Sequence, residues 1–216
     1  HNGDQSAIGE KPLMRFSTRF AHAIGIAIAG IVITLLAVSC SRGAGDAALP
    51  IEGTVAPFTL TDQDGNPFGS GQLKGHVWIA DFFFTNCPGP CPRMSTLMSE
   101  IQRETANIDE LRIVSITVDP ERDTPEAMKA YGKRYGAIDG RWHFLTGPQE
   151  TLNRIARQDF KLFDVDGSLQ HSTRFALIDR QGNIRSFYTT GEGGTYAQLP
   201  GDIRKLIAQS DAGGKS

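Results

Sequence analysis

Cys87 and Cys91, four positions apart, are the residues of this chain best suited to chemistry. They lie in Phe84-Thr85-Asn86-Cys87-Pro88-Gly89-Pro90-Cys91-Pro92-Arg93-Met94, where Pro88, Pro90 and Pro92 decide the geometry. A residue before proline is pushed away from the helical region. Cys87, Gly89 and Cys91 are therefore expected to be extended or turn-like, with Pro92 as the first helical residue and Cys91 as the cap. The positive end of that helix would favour a thiolate, and the prolines leave the loop few conformations. Three chemistries could use such a pair: dithiol–disulfide interconversion, peroxide reduction, or binding of a soft metal ion. Three intervening residues enlarge the disulfide ring and limit fast exchange without forbidding it. Peroxide reduction is the weakest of the three, because no Thr-x-x-Cys arrangement with a matching distant Arg is evident.

Two thiolates are too few for a closed structural zinc site, and the remaining cysteine, Cys40, closes an apolar N-terminal run. A third ligand must come from elsewhere. The candidate is His171, in Leu169-Gln170-His171-Ser172-Thr173-Arg174, if the strand that follows it neighbours the strand that precedes Cys87. Two thiolates and an imidazole suit copper, since sulfur selects Cu(I) and imidazole lets the site retain Cu(II); zinc is the competing ion. A lone His is more often a surface or structural residue, and His76 and His143 fit that description. Met94 and Met98 are soft atoms near the thiols, but their helical spacing points to core packing. The charges of Asp119-Pro120-Glu121-Arg122-Asp123 read as a docking or metal-adjacent loop or, preferably, as capping and internal ion pairing.

The elements that must position these residues follow from periodicity. Val77 to Phe84 is an almost unbroken run of β-formers, hence a central strand buried on both faces, with Asp81 as an anomaly inside it. Met94, Leu97, Met98 and Ile101 mark one buried helix face after the cysteines. Leu111 to Val118 predicts a second central strand. Thr124, Pro125 and Glu126 then start a helix that runs to about Tyr135. A strand at His143 to Thr146, a helix from Pro148 to Gln158, two strands at Arg174 to Asp179 and Asn183 to Tyr188, and a last helix from Tyr196 to Ala208 complete the order. Alternating Phe58-Thr59-Leu60-Thr61 before the turn residues Asp62 to Asn66 predicts a hairpin or edge element that opens the domain. The class is α/β: a central mixed sheet with parallel crossovers and a terminal antiparallel hairpin, flanked by helices.

The chain has 216 residues, 39% of them hydrophobic, which suffices for one ordinary domain with an appendage. With 22 Lys and Arg against 24 Asp and Glu, a net charge of −2 offers no broad attraction to a polyanion, which argues against nucleic acid as a partner. Residues 1–19 form a basic N-terminal region. Residues 20–40 (FAHAIGIAIAGIVITLLAVSC) carry no Asp, Glu, Lys or Arg and are expected to be a hydrophobic anchor or signal. Leu36-Ala37-Val38-Ser39-Cys40 resembles a bacterial lipoprotein signal ending at a lipidated Cys40, and an uncleaved transmembrane segment is the alternative. Either fate anchors the chain to the bacterial inner membrane with the folded part in the periplasm. Residues 41–49 read as a linker, 50–210 as the folded domain and 211–216 as a tail.

Phe83-Phe84-Thr85-Asn86-Cys87-Pro88 through Cys91-Pro92, Val118-Asp119-Pro120-Glu121-Arg122-Asp123-Thr124-Pro125, Leu145-Thr146-Gly147 and His171-Ser172 occur in the order of the SCO/SenC family. The chain resembles these thioredoxin-like copper chaperones of cytochrome c oxidase assembly over roughly Pro50 to Gln209. The resemblance implies a thioredoxin-like fold and copper, Cu(I) or Cu(II), held by Cys87, Cys91 and His171. It implies delivery to the dinuclear copper site of an oxidase subunit and reduction of that subunit's cysteines, with other copper chaperones or thioredoxin-like reductases as further partners. Such a protein is not primarily an enzyme; the alternative is a thiol-disulfide oxidoreductase in which Cys87 attacks and Cys91 resolves. Two departures stand out: Gly89 where the family commonly has an acidic residue, and Gln170 where it often has Asp. The usual orienter of the imidazole is then replaced, with Asp164 or Asp166 as substitutes.

Overall fold

The computed structural model describes residues 48–162 and 173–213. The segments 1–47 and 163–172 lie outside them, and with these the expected anchor, Cys40, Asp164, Asp166, Gln170 and His171. The described chain begins with a two-residue strand, β1 (Gly53–Thr54), followed by β2 (Thr59–Asp62), β3 (Pro67–Gly69) and a single helical turn, α1 (Ser70–Leu73). Then come β4 (Val77–Phe83), α2 (Cys91–Glu104), β5 (Leu111–Thr117), α3 (Pro125–Arg134), β6 (Trp142–Thr146) and α4 (Gln149–Arg154). A π-helical turn (Ile155–Asp159) continues α4, and β7 (Arg174–Ile178), β8 (Asn183–Thr189), a 3-10 turn (Tyr196–Gln198) and α5 (Leu199–Gly213) close the order.

The strands form one eight-stranded mixed sheet in the order β1-β8-β7-β4-β5-β6-β2-β3. β4, β5 and β6 are parallel, joined by α2 and α3 as crossovers, while β7 runs antiparallel to β4 with Trp78 opposite Ile178 and Ala80 opposite Ala176. All seven residues of β4 are buried because both faces of the sheet are covered. Val77, Ile79 and Phe83 pack with Met94, Met98 and Ile101 of α2, Met128 and Tyr131 of α3 and Ile203 of α5. Trp78, Ala80 and Phe82 pack on the other face with Leu60 and Phe68 of the first hairpin and with Leu152, Ile155 and Phe160. Met94 and Met98 are thus core residues, 1% and 0% exposed, as their spacing predicted.

Short polar residues make the turns. Asp62 Oδ1 accepts from the backbone N–H groups of Asp64 and Asn66 at 2.9 and 2.8 Å, and Gly65 takes the positive φ of 80° that this turn needs. Asp179 repeats the device in the β7–β8 hairpin, accepting from Gln181 and Asn183 at 2.9 and 2.8 Å with Gly182 at φ 86°. Thr124 caps α3 through Ala127 N–H at 3.3 Å, with Pro125 in the first turn.

Two expectations are corrected. The first hairpin does not open the sheet: β1 precedes it and joins the opposite edge, Gly53 beside Ile184. The helix expected from Pro148 to Gln158 is α only to Arg154. Its wider second part, in which Phe160 N–H reaches Ile155 carbonyl at 3.1 Å, buries Ile155, Ala156 and Phe160 together.

Candidate metal centre

β4 ends at Phe83, at the carboxyl edge of the parallel strands, where open α/β sheets place their sites. The loop that leaves it turns at once, with Cys87 N–H donating to the Phe84 carbonyl at 3.2 Å. Helix α2 then begins one residue earlier than the prolines suggested. Pro90, at φ −75° and ψ −23°, is the cap, and its carbonyl accepts from Met94 N–H at 3.0 Å. Cys91 is therefore the first helical residue rather than the cap, and Pro92 occupies the second position, where an N–H would have no intrahelical partner and its absence loses no bond. The burial of Met94 and Met98 holds the first turn in place against the usual reluctance of a residue before proline to be helical.

Both cysteines are free thiols, 8% exposed for Cys87 and 4% for Cys91, and they belong to the cluster formed by α2 and Phe83. Asn86, Pro88, Gly89, Pro92 and Arg93 are the exposed residues around them. Burial, with the neighbouring Cys87 thiol adding to it, pushes the Cys91 thiol up to about 12, and the Phe84 backbone offsets only part of this. Desolvation thus works against the thiolate that the helix end favours at Cys91. Both sulfurs are buried in one cluster at the start of α2, two soft donors of the kind that suit a soft ion.

The anomaly in β4 is part of this environment. Asp81 points to the same face of the sheet as Ile79 and Phe83, the face that α2 covers. It pairs in register with Ser115 of β5, whose hydroxyl donates to Asp81 Oδ1 at 2.6 Å and accepts from Trp142 Nε1 at 2.9 Å. Burial pushes its carboxyl up to about 7, and Ser115 partly counters it.

Asp123 is the residue that the sequence reading missed. It is fully buried and accepts from the Thr85 N–H at 3.1 Å, from the Thr85 hydroxyl at 2.5 Å and from the Thr117 hydroxyl. The sequence assigns the charges of its run to capping and internal ion pairing, and Asp123 instead accepts from an amide and two hydroxyls. The available signal was a threonine at each of two strand ends facing a short acid beside a helix cap. The rest of the run is as expected, with Arg122 pairing Asp119 at 2.8 Å on the surface. His76 places Nδ1 3.0 Å from the Glu110 carbonyl, and His143 stacks on Phe68 at 4.3 Å, so both are structural residues.

The condition set for His171 was that its strand neighbour β4, and β7 does so, entering the sheet at the end where β4 leaves it. His171 itself lies outside the described residues. Among the described residues no three His, Cys, Asp or Glu side chains converge.

The family model for SCO1/SenC matches residues 48–208. Among solved structures, a SCO1/SenC family lipoprotein from Bacillus anthracis is 32% identical, with a TM-score of 0.66 over 74% of this chain and 99% of that one. BsSco, whose structure identified a disulfide switch in a member of the Sco family of cytochrome c oxidase assembly proteins, is 33% identical. Its TM-score is 0.65 over 74% of this chain and 96% of its own. Bradyrhizobium japonicum ScoI with copper bound is 28% identical, with a TM-score of 0.59 over 71% and 99% of the two chains.

Proposed function

The chain belongs to the SCO1/SenC family, and from that membership we propose that it is a membrane-tethered copper chaperone for cytochrome c oxidase assembly. Cys87 and Cys91 supply two thiolates and His171 the nitrogen ligand. The observation that carries this reading is the pair of free, nearly buried thiols that share one cluster at the start of α2. Buried soft donors of this kind favour Cu(I), and an imidazole beside them would retain Cu(II). Further support comes from the relatives: ScoI holds copper, and BsSco is described as an assembly protein of the oxidase. Binding must release the Cys91 proton, because a ligating sulfur is a thiolate. Delivery goes to the dinuclear copper site of an oxidase subunit. The lipoprotein from Bacillus anthracis supports an anchor, here the 20–40 segment or a lipidated Cys40, with the domain in the periplasm.

Two free thiols in one cluster also favour a second reading, thiol-disulfide exchange, in which the pair reduces the target's cysteines. Metal titration separates the two. The wild-type chain should take up about one copper, with a sulfur-to-copper charge-transfer band in the Cu(II) form. His171→Ala should weaken binding and spare disulfide exchange. Undetectable copper retention in the wild type, with exchange that survives His171→Ala, would replace the chaperone by the oxidoreductase. In cells, loss of the protein should lower oxidase activity in a way that added copper partly restores.

A further inference from the structure

Cys91 is fixed by the backbone of α2, whereas Cys87 belongs to a loop whose own backbone bond, from Cys87 N–H to the Phe84 carbonyl, is local. Besides the packing of Cys87 itself, the loop is tied to a distant part of the fold by the hydrogen bonds of Thr85, two residues before Cys87, to Asp123, 38 positions away in sequence. The donors to Asp123 are an amide and two hydroxyls, so the contact depends on direction and distance rather than on net charge. Its second arm reaches Thr117, the last residue of β5, and the next residue, Thr124, caps α3. One buried carboxylate therefore joins the end of β5, the start of α3 and the root of the cysteine loop. We infer that Asp123 is a positioning residue for the thiol pair: by holding Thr85 it sets where the Cys87 sulfur stands relative to the Cys91 sulfur before an ion or a partner's sulfur arrives.

The inference rests on Cys87 and Cys91 being the working pair of the proposed function, but not on the identity of the ion. Its test uses the reduced, metal-free full chain and a small aromatic disulfide. In the first step the Cys87 thiolate attacks one sulfur of the probe, forming a mixed disulfide and releasing one aromatic thiolate. In the second, Cys91 loses its proton to solvent and attacks the Cys87 sulfur, closing the Cys87–Cys91 disulfide and releasing the other aromatic thiolate. Misplacing reacting atoms by about 1 Å costs up to ~100-fold, so Thr85→Val and Asp123→Asn should slow the second step about 10-fold or more. The first step should stay within about 2-fold, because it needs no alignment of the two sulfurs. Thr85→Ser, which keeps the hydroxyl, should close the ring at close to the wild-type rate. If Asp123→Asn does not fold, the two Thr85 variants decide alone. Wild-type ring closure in Thr85→Val, or equal slowing in Thr85→Ser, would overturn the inference whatever the change in melting temperature. Failure of the copper reading would show separately, as absent metal uptake by a wild type whose ring closure still responds to Thr85.

Discussion

Asp81 stands in β4 with 1% of its surface exposed, and burial raises its carboxyl from an ordinary value of 3.8 to about 7. Between those values the native protein keeps a proton that the unfolded chain has lost. The stabilisation is therefore complete below 3.8, declines as pH rises through the interval, and is gone above 7, at up to about 1.4 kcal/mol per pH unit. Asp81→Asn retains an oxygen for the Ser115 hydroxyl and removes the titration. It should be more stable than the wild type by about 2 kcal/mol or more at pH 8, with the two within about 1 kcal/mol near pH 4, in urea unfolding. A constant difference between the two proteins at both pH values would refute the assignment. Gly89 gives a second prediction at this scale, because a Cβ built there lies 3.9 Å from the Cys87 sulfur. Gly89→Asp would set a carboxylate over that sulfur. It should slow the reaction of Cys87 with an anionic aromatic disulfide several-fold more than with neutral iodoacetamide, and salt should erase the difference as screening sets in over about 10 Å. Equal slowing of both reagents would mean a steric effect only.

At the scale of elements, what could be read in advance was whatever has a local cause. β4 announces itself by Val77, Trp78, Ile79, Phe82 and Phe83 within a seven-residue run, α3 by Thr124 and Pro125, and the β7–β8 hairpin by Asp179 and Gly182. The start of α2 slipped by one residue because the proline rule is local, whereas the turn is held by Met94 and Met98 packing against the sheet. β1 was invisible, since two residues carry no periodicity and its pairing with Ile184 is remote in sequence. The same contest between local preference and packing governs Gly132 in α3. Alanine is about 1 kcal/mol better than glycine inside a helix, yet a methyl group here would meet the Phe144 ring at 2.7 Å. Gly132→Ala should therefore be destabilising, by about 1–3 kcal/mol. In a Phe144→Leu background the penalty should largely vanish. A stabilised Gly132→Ala single variant would show that the ring moves aside without cost.

Across the whole molecule, the sheet order agrees with the expected adjacency of the strand after His171 and the strand before Cys87. Antiparallel pairing of β7 with β4 brings the chain that follows His171 to the cysteine end of the sheet, a consequence of topology that the motifs implied through their order. Asp123 could not be foreseen in that way, because its role arises only when β5, α3 and the cysteine loop meet. An ion held between α2, its preceding loop and the segment before β7 would cross-link three parts of the sequence that separate on unfolding. It should therefore stabilise the entire domain, by about 2.7 kcal/mol at a free ion concentration one hundred times the dissociation constant, less whatever the unfolded thiols bind. For a domain of this size each kcal/mol moves the melting temperature by roughly 2–4 °C. Calorimetry with and without Cu(I), under strict exclusion of oxygen, should show a rise of several degrees for the wild type, a smaller rise for His171→Ala and none for Cys87→Ser. An undiminished rise in Cys87→Ser would place the ion elsewhere, since a domain that gains the same stability without that sulfur cannot be using it as a ligand.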